Sequence, residues 1–106
     1  MANFILIYSG GSGMAPTQAE QAGIMQAWTS WFTQLGSAVV DGGNPFTPAA
    51  KQISQGGKVS DGSAGAMATG YSIIKADSLA AATELAKGCP VLQGGAQVTV
   101  YEAMPM

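Results

Sequence analysis

The stretch Phe4-Ile5-Leu6-Ile7-Tyr8 limits the possible folds more than any other part of the chain. It is apolar at both parities, with Phe4, Leu6 and Tyr8 on one side of a strand and Ile5 and Ile7 on the other. Successive strand side chains point to opposite faces, so a strand of this composition needs cover on both. Gly10 and Gly11 close the run and mark it as a short buried strand.

The rest of the chain lays out one plan twice. Thr17 stands where a helix N-cap belongs, and Glu20, three residues on, is the acid of a capping box. Ile24, Trp28, Trp31 and Leu35 recur at helical spacing, with Met25 and Phe32 on the same face, and Gly36 stops the helix. Ala38-Val39-Val40 predicts a second strand. From Asp41 to Thr69, small and polar residues predict a loop, with at most a short hairpin at Gln55-Gly56-Gly57. Then Tyr71-Ser72-Ile73-Ile74 predicts a strand, and Asp77 or Ser78 caps a helix running through Lys87. Gly88 stops that helix, and Val98-Thr99-Val100-Tyr101 is the last strand.

A β-α-β unit succeeded by another predicts an α+β fold of the ferredoxin-like split βαβ type. This is a sandwich with an antiparallel four-stranded sheet and two helices on one face. The expected organisation is one domain over residues 1–106. Two helices leave the second face of the sheet bare, although the first strand is apolar there. The charged fraction is 9%, against roughly 25% in an average soluble domain. Both facts predict a homodimer, in which a second copy covers that face.

Composition also excludes whole classes of function. The four basic residues, Lys51, Lys58, Lys75 and Lys87, are scattered and the net charge is −2, so no basic stripe exists for nucleic acid. The chain has no histidine and no arginine. The imidazole base of Ser-His-Asp or Cys-His catalysis is therefore missing, as are the usual zinc ligand sets and the guanidinium fork for strongly anionic substrates. No metal and no cofactor are expected. One cysteine makes no intramolecular disulfide. The five-residue apolar run near the start lacks a basic lead-in, and nothing approaches the ~20 apolar residues of a membrane span. The expectation is a cytoplasmic protein with no membrane partner.

The segments FILIY, AWTSWFTQLG, VVDGGNPF, GYSIIKADSLAAATELAKGCP and VTVYEAMPM together resemble the YCII-related proteins, or DGPF-domain group, of the dimeric α+β barrel superfamily. The resemblance runs essentially end to end. It implies a face-to-face dimeric α+β barrel with a pocket between sheet and helix. It also implies that some relatives act on lactone- or muconate-like molecules, while most have no established activity. Some members carry a His-Asp pair proposed as an active site. Asp41 falls where the acid would lie, and the histidine has no counterpart in this chain.

Asp41, in the turn-rich Asp-Gly-Gly-Asn-Pro-Phe, reads two ways: as a side chain that accepts backbone N–H bonds and shapes the turn, or as a base. Trp28 and Trp31 read as core by their spacing, with one of them expected to line the pocket. Tyr8, Tyr71 and Tyr101 offer hydroxyls that orient a ligand. The expected ligand contacts are Tyr8, Trp28, Trp31, Asn44, Phe46 and Tyr71. Cys89 sits past a helix carboxyl end, where the dipole disfavours a thiolate, and reads as a buried packing residue. The Gly10–Gly13 loop lacks the Lys-Ser or Lys-Thr of a phosphate loop. Glu84 and Glu102 read as unpartnered solvated charges.

Three functions fit these residues. The first is a protein with a small-molecule pocket and weak or lost catalysis. The second is a proton-transfer enzyme, of the lactone isomerase or dehalogenating lyase type, with Asp41 as base and Tyr71 or a backbone amide steadying developing charge. The third is an accessory or regulatory protein acting through its dimer surface.

Overall fold

The computed structural model describes residues 2–10, 17–47, 49–62 and 67–104. Its elements are β1 (Ala2–Gly10), α1 (Gln18–Leu35), β2 (Val39–Asp41), β3 (Lys51–Ser54), β4 (Lys58–Asp61), β5 (Ala68–Ala76), α2 (Leu79–Ala86) and β6 (Ala96–Glu102). One sheet runs in the order β2-β5-β1-β6, all antiparallel, and β3 pairs with β4 in a separate hairpin. This is the interleaved sheet that two β-α-β units form when each places a strand at the centre. The hairpin turns at Gln55–Gly57, as expected. The expected Gly10–Gly13 loop falls largely outside the described residues.

The caps are those the sequence calls for. The Thr17 hydroxyl accepts from Glu20 N while the Glu20 carboxylate accepts from Thr17 N, which completes the capping box of α1. Gly36 ends α1 with φ 55°, and Ser78 rather than Asp77 caps α2, its hydroxyl accepting from Ala81 N at 3.1 Å.

Alternation along the two central strands divides inside from outside. Phe4, Leu6 and Tyr8 of β1 are buried together with Ser72, Ile74 and Ala76 of β5, under Trp31 and Leu35 of α1 and Ala82 and Ala86 of α2. Burying a Phe, Leu or Ile side chain contributes about 1.5–3 kcal/mol, so Phe4, Leu6 and Ile74, each fully buried, anchor the helices to the sheet. The opposite parity, Ile5, Ile7 and Ile73, is only half-buried on the face without helices.

Two expectations are corrected. The apolar stripe of α1 is buried only in its C-terminal half: Ile24 is 47% and Met25 70% exposed. Spacing shows which residues share a helix face, but not how far the sheet extends beneath it. Glu84 is also not alone, since Lys87 Nζ donates to its carboxylate at 2.7 Å one helical turn away. Both side chains are largely exposed, so the pair adds little stability.

Candidate functional site

Where α1 parts from the sheet, the structure opens a cavity of about 560 Å³. Met25, Trp28 and Phe32 of α1 form one wall; Tyr8, Ser72 and the Gly42–Pro45 segment face them. Trp28 is held by aromatic contacts on several sides, edge-on to Tyr8 at 5.5 Å and to Trp31 at 5.6 Å, and tilted against Phe32 at 5.6 Å. Such contacts fix a ring more firmly than area alone. Among the described residues that line the cavity, none is charged.

The far wall exists because β2 does not stop cleanly. The register slips by one residue between Val39, which pairs with Ile74, and Asp41, which pairs with Ile73. Gly42 and Gly43 then bulge out before Pro45 bridges Gly70, with Tyr71 N donating to Asn44 O at 3.3 Å and Phe46 N to Thr69 O at 2.8 Å. Gly43 has φ 77°, and a Cβ there would lie 1.6 Å from the Tyr71 carbonyl oxygen, so only glycine fits. The Ser72 hydroxyl fills the bulge by donating to Gly42 O at 2.8 Å, and the Tyr8 hydroxyl in turn donates to Ser72 Oγ at 2.7 Å.

Burial pushes the Tyr8 phenol well above its ordinary pKa, against the pull of the Ser72 hydrogen bond, and the adjacent Cys89 thiol adds to the rise. Burial likewise pushes the Cys89 thiol up, opposed by the Val91 backbone and the Tyr8 hydroxyl. Both groups stay protonated near neutral pH.

The structure separates the residues singled out by sequence. Tyr8, Trp28 and Asn44 line the helix-side cavity. Trp31 is core: it is 3% exposed, and its Nε1 donates to Leu85 O at 3.1 Å. Tyr71 borders the cavity, but its parity is opposite to that of Gly70 and Ser72, so its ring lies over the face without helices. There it stacks on Phe46 at 5.8 Å and donates its hydroxyl to Asp41 Oδ2 at 3.2 Å. Phe46 itself lines a second, smaller hollow with Thr47, Ala50 and Met67. Asp41 is exposed, and its Oδ1 accepts from Gly43 N at 2.8 Å, the bond expected of a turn-shaping carboxylate. Tyr101 is 57% exposed on β6.

Sequence reasoning missed Ser72 and the Gly42–Gly43 bulge. The signal for Ser72 was present, because it shares parity with Ile74, and a hydroxyl at a core-facing position needs a partner. No group of three or more Cys, Asp or Glu that could hold a metal converges among the described residues.

No family model matches the chain, and no curated protein is significantly similar to it. Among solved structures it is similar to the 5-chloro-2-hydroxyhydroquinone dehydrochlorinase of Burkholderia phenoliruptrix, in complex with 2,5-dihydroxybenzoquinone. Sequence identity is 14% and the TM-score 0.55, over 95% of this chain and 93% of the other. The fold they share is of the α+β type, here a four-stranded antiparallel sheet with two helices. At that identity the likeness extends to the fold alone.

Proposed function

We propose that this protein is a homodimer that holds a small, mainly apolar aromatic molecule between α1 and the sheet, as a YCII-related protein would. The observation that carries this reading is the cavity of about 560 Å³, walled by Trp28 and Phe32 and floored by two buried hydroxyls. Its volume lies within the range of small-molecule sites, and its lining has the expected form of apolar walls with a few fixed polar groups. Fold likeness to an enzyme whose ligand is a one-ring quinone supports the same reading. The test is a tryptophan-fluorescence titration with 4-methylphenol. Saturable quenching that is lost in Trp28→Leu is expected; a flat titration of the folded protein rejects the reading.

A second reading, proton transfer by Asp41, draws support from the Tyr71 hydroxyl bonded to its carboxylate and from the dehydrochlorinase activity of the fold relative. Asp41 pairs with Ile73, on the face without helices, so a substrate would sit against that face and not in the helix-side cavity. Asp41→Asn keeps an acceptor oxygen for the turn and removes the base. Under this reading it abolishes turnover with little change in melting temperature, and a variant of full activity rejects it.

A further inference from the structure

We propose that the helix-side cavity is selective for neutral, ring-hydroxylated aromatics, with the Tyr8 oxygen accepting a hydrogen bond from the ligand's hydroxyl. The inference rests on the proposed pocket function and names the chemistry that the pocket selects.

The direction of the hydroxyl chain decides it. Gly42 O is a carbonyl and only accepts, so the Ser72 proton is committed to it at 2.8 Å. Ser72 Oγ then accepts, and the Tyr8 proton is committed to Ser72 at 2.7 Å. A phenol that has given away its only proton has lone pairs left and no donor. The Cys89 sulfur beside it is only a weak acceptor and a weak donor, so it neither draws the Tyr8 proton away from the 2.7 Å bond to Ser72 nor fills the phenol's lone pairs. Tyr8, Ser72 and Gly42 all border the cavity, with Ser72 fully buried and Tyr8 5% exposed, so a ligand seated on that floor would meet the Tyr8 side of the chain first.

Charge sets the second half of the selection. No Lys, Asp or Glu is among the described lining residues, and the groups on the floor are neutral. A ligand carboxylate would lose its hydration there without gaining a counter-ion. A ring with a neutral O–H satisfies the walls and the floor together.

Three ligands of one ring size test this by calorimetry or NMR titration at pH 7: 4-methylphenol, 4-methylanisole, which has the same oxygen but no O–H, and 4-hydroxybenzoate. The wild-type protein is expected to bind 4-methylphenol about tenfold more tightly than 4-methylanisole, the worth of one hydrogen bond to a buried acceptor. It is expected to bind 4-hydroxybenzoate still more weakly. Ser72→Ala removes the acceptor that holds the Tyr8 proton and frees Tyr8 to donate, so the gap between phenol and anisole should close, with the far-ultraviolet spectrum showing that the fold is kept. Tyr8→Phe should close the gap as well. Equal binding of phenol and anisole by the wild type, a gap unchanged in both variants, or tighter binding of the benzoate overturns the proposal while leaving a pocket. Binding of none of the three overturns the pocket reading along with it.

Discussion

Trp31 donates its indole N–H to the Leu85 carbonyl at 3.1 Å, tying the C-terminal half of α1 to α2 across 54 residues of sequence. Trp28, one turn earlier on the same helix, faces the cavity. Two indoles that spacing alone cannot tell apart therefore have separate tasks. Trp31→Phe should lower unfolding free energy by about 1–3 kcal/mol, from the lost bond and the space left behind, while leaving ligand affinity unchanged. Trp28→Leu should show the reverse bias, a large loss of affinity with a smaller loss of stability. Urea unfolding and the titration with 4-methylphenol, run on both variants, check the pair.

Stability should fall in alkali ahead of any effect of net charge. The folded state holds the protons of Tyr8 and Cys89 more tightly than the unfolded chain, whose ordinary values are 10.0 and 9.0. Groups raised in this way contribute stability that is complete below the unfolded value and is lost as pH climbs through the folded one. The urea midpoint should be level up to about pH 8 and then decline, beginning near 9 with Cys89 and steepening above 10 with Tyr8. Cys89→Ala should delay the onset by removing the first of the two, and a midpoint that stays level to pH 11 would contradict the burial of both groups.

Gly43 and Gly56 share a left-handed backbone, with φ of 77° and 86°, but differ in surroundings. A methyl group at Gly56, in the hairpin turn, meets nothing within 4 Å; at Gly43 it meets the Tyr71 carbonyl at 1.6 Å. Gly56→Ala should cost about 1–2 kcal/mol, the strain of an L-residue in that region. Gly43→Ala should cost well beyond this, because β2 must leave β5 to make room. Thermal melts of the two variants give the comparison, and equal losses would show that the bulge is free to move.

Much of this architecture could be read in the sequence because the deciding signals are local. The Thr17–Glu20 capping box, the stop at Gly36, and the β-branched and aromatic runs around Ile5, Ile73 and Val100 each specify their own element. The order of those elements leaves few ways to build a sheet. The site was harder to read because its parts come from different faces. Asp41, Asn44 and Phe46 lie within six residues of one another, yet the register slips between Val39 and Asp41 and again between Asp41 and Pro45, so that Asp41 and Phe46, of opposite parity, meet Tyr71 on one face while Asn44 borders the helix-side cavity. Strict alternation cannot foresee a bulge, since an extra residue resets the parity of every later position in the strand. Tyr71 itself was readable, because its parity is opposite to that of Ile74.

The two faces of β1 supply the last prediction. Leu6 is fully buried beneath the helices, whereas Ile5, its neighbour in sequence, lies on the open face with Ile73 across from it. A lysine at either position puts a charge where the chain has placed a hydrocarbon, but the consequences differ. Leu6→Lys buries an unpaired ammonium in the core and should abolish cooperative unfolding altogether. Ile5→Lys leaves the helix-side core intact and, if two copies meet on the open face as proposed, should produce a folded protein of half the native mass. Light scattering together with near-ultraviolet circular dichroism separates the two outcomes. A wild-type protein that is already monomeric at micromolar concentration, or an Ile5→Lys variant that keeps the native mass and fold, would mean that the open face is not the surface on which two copies meet.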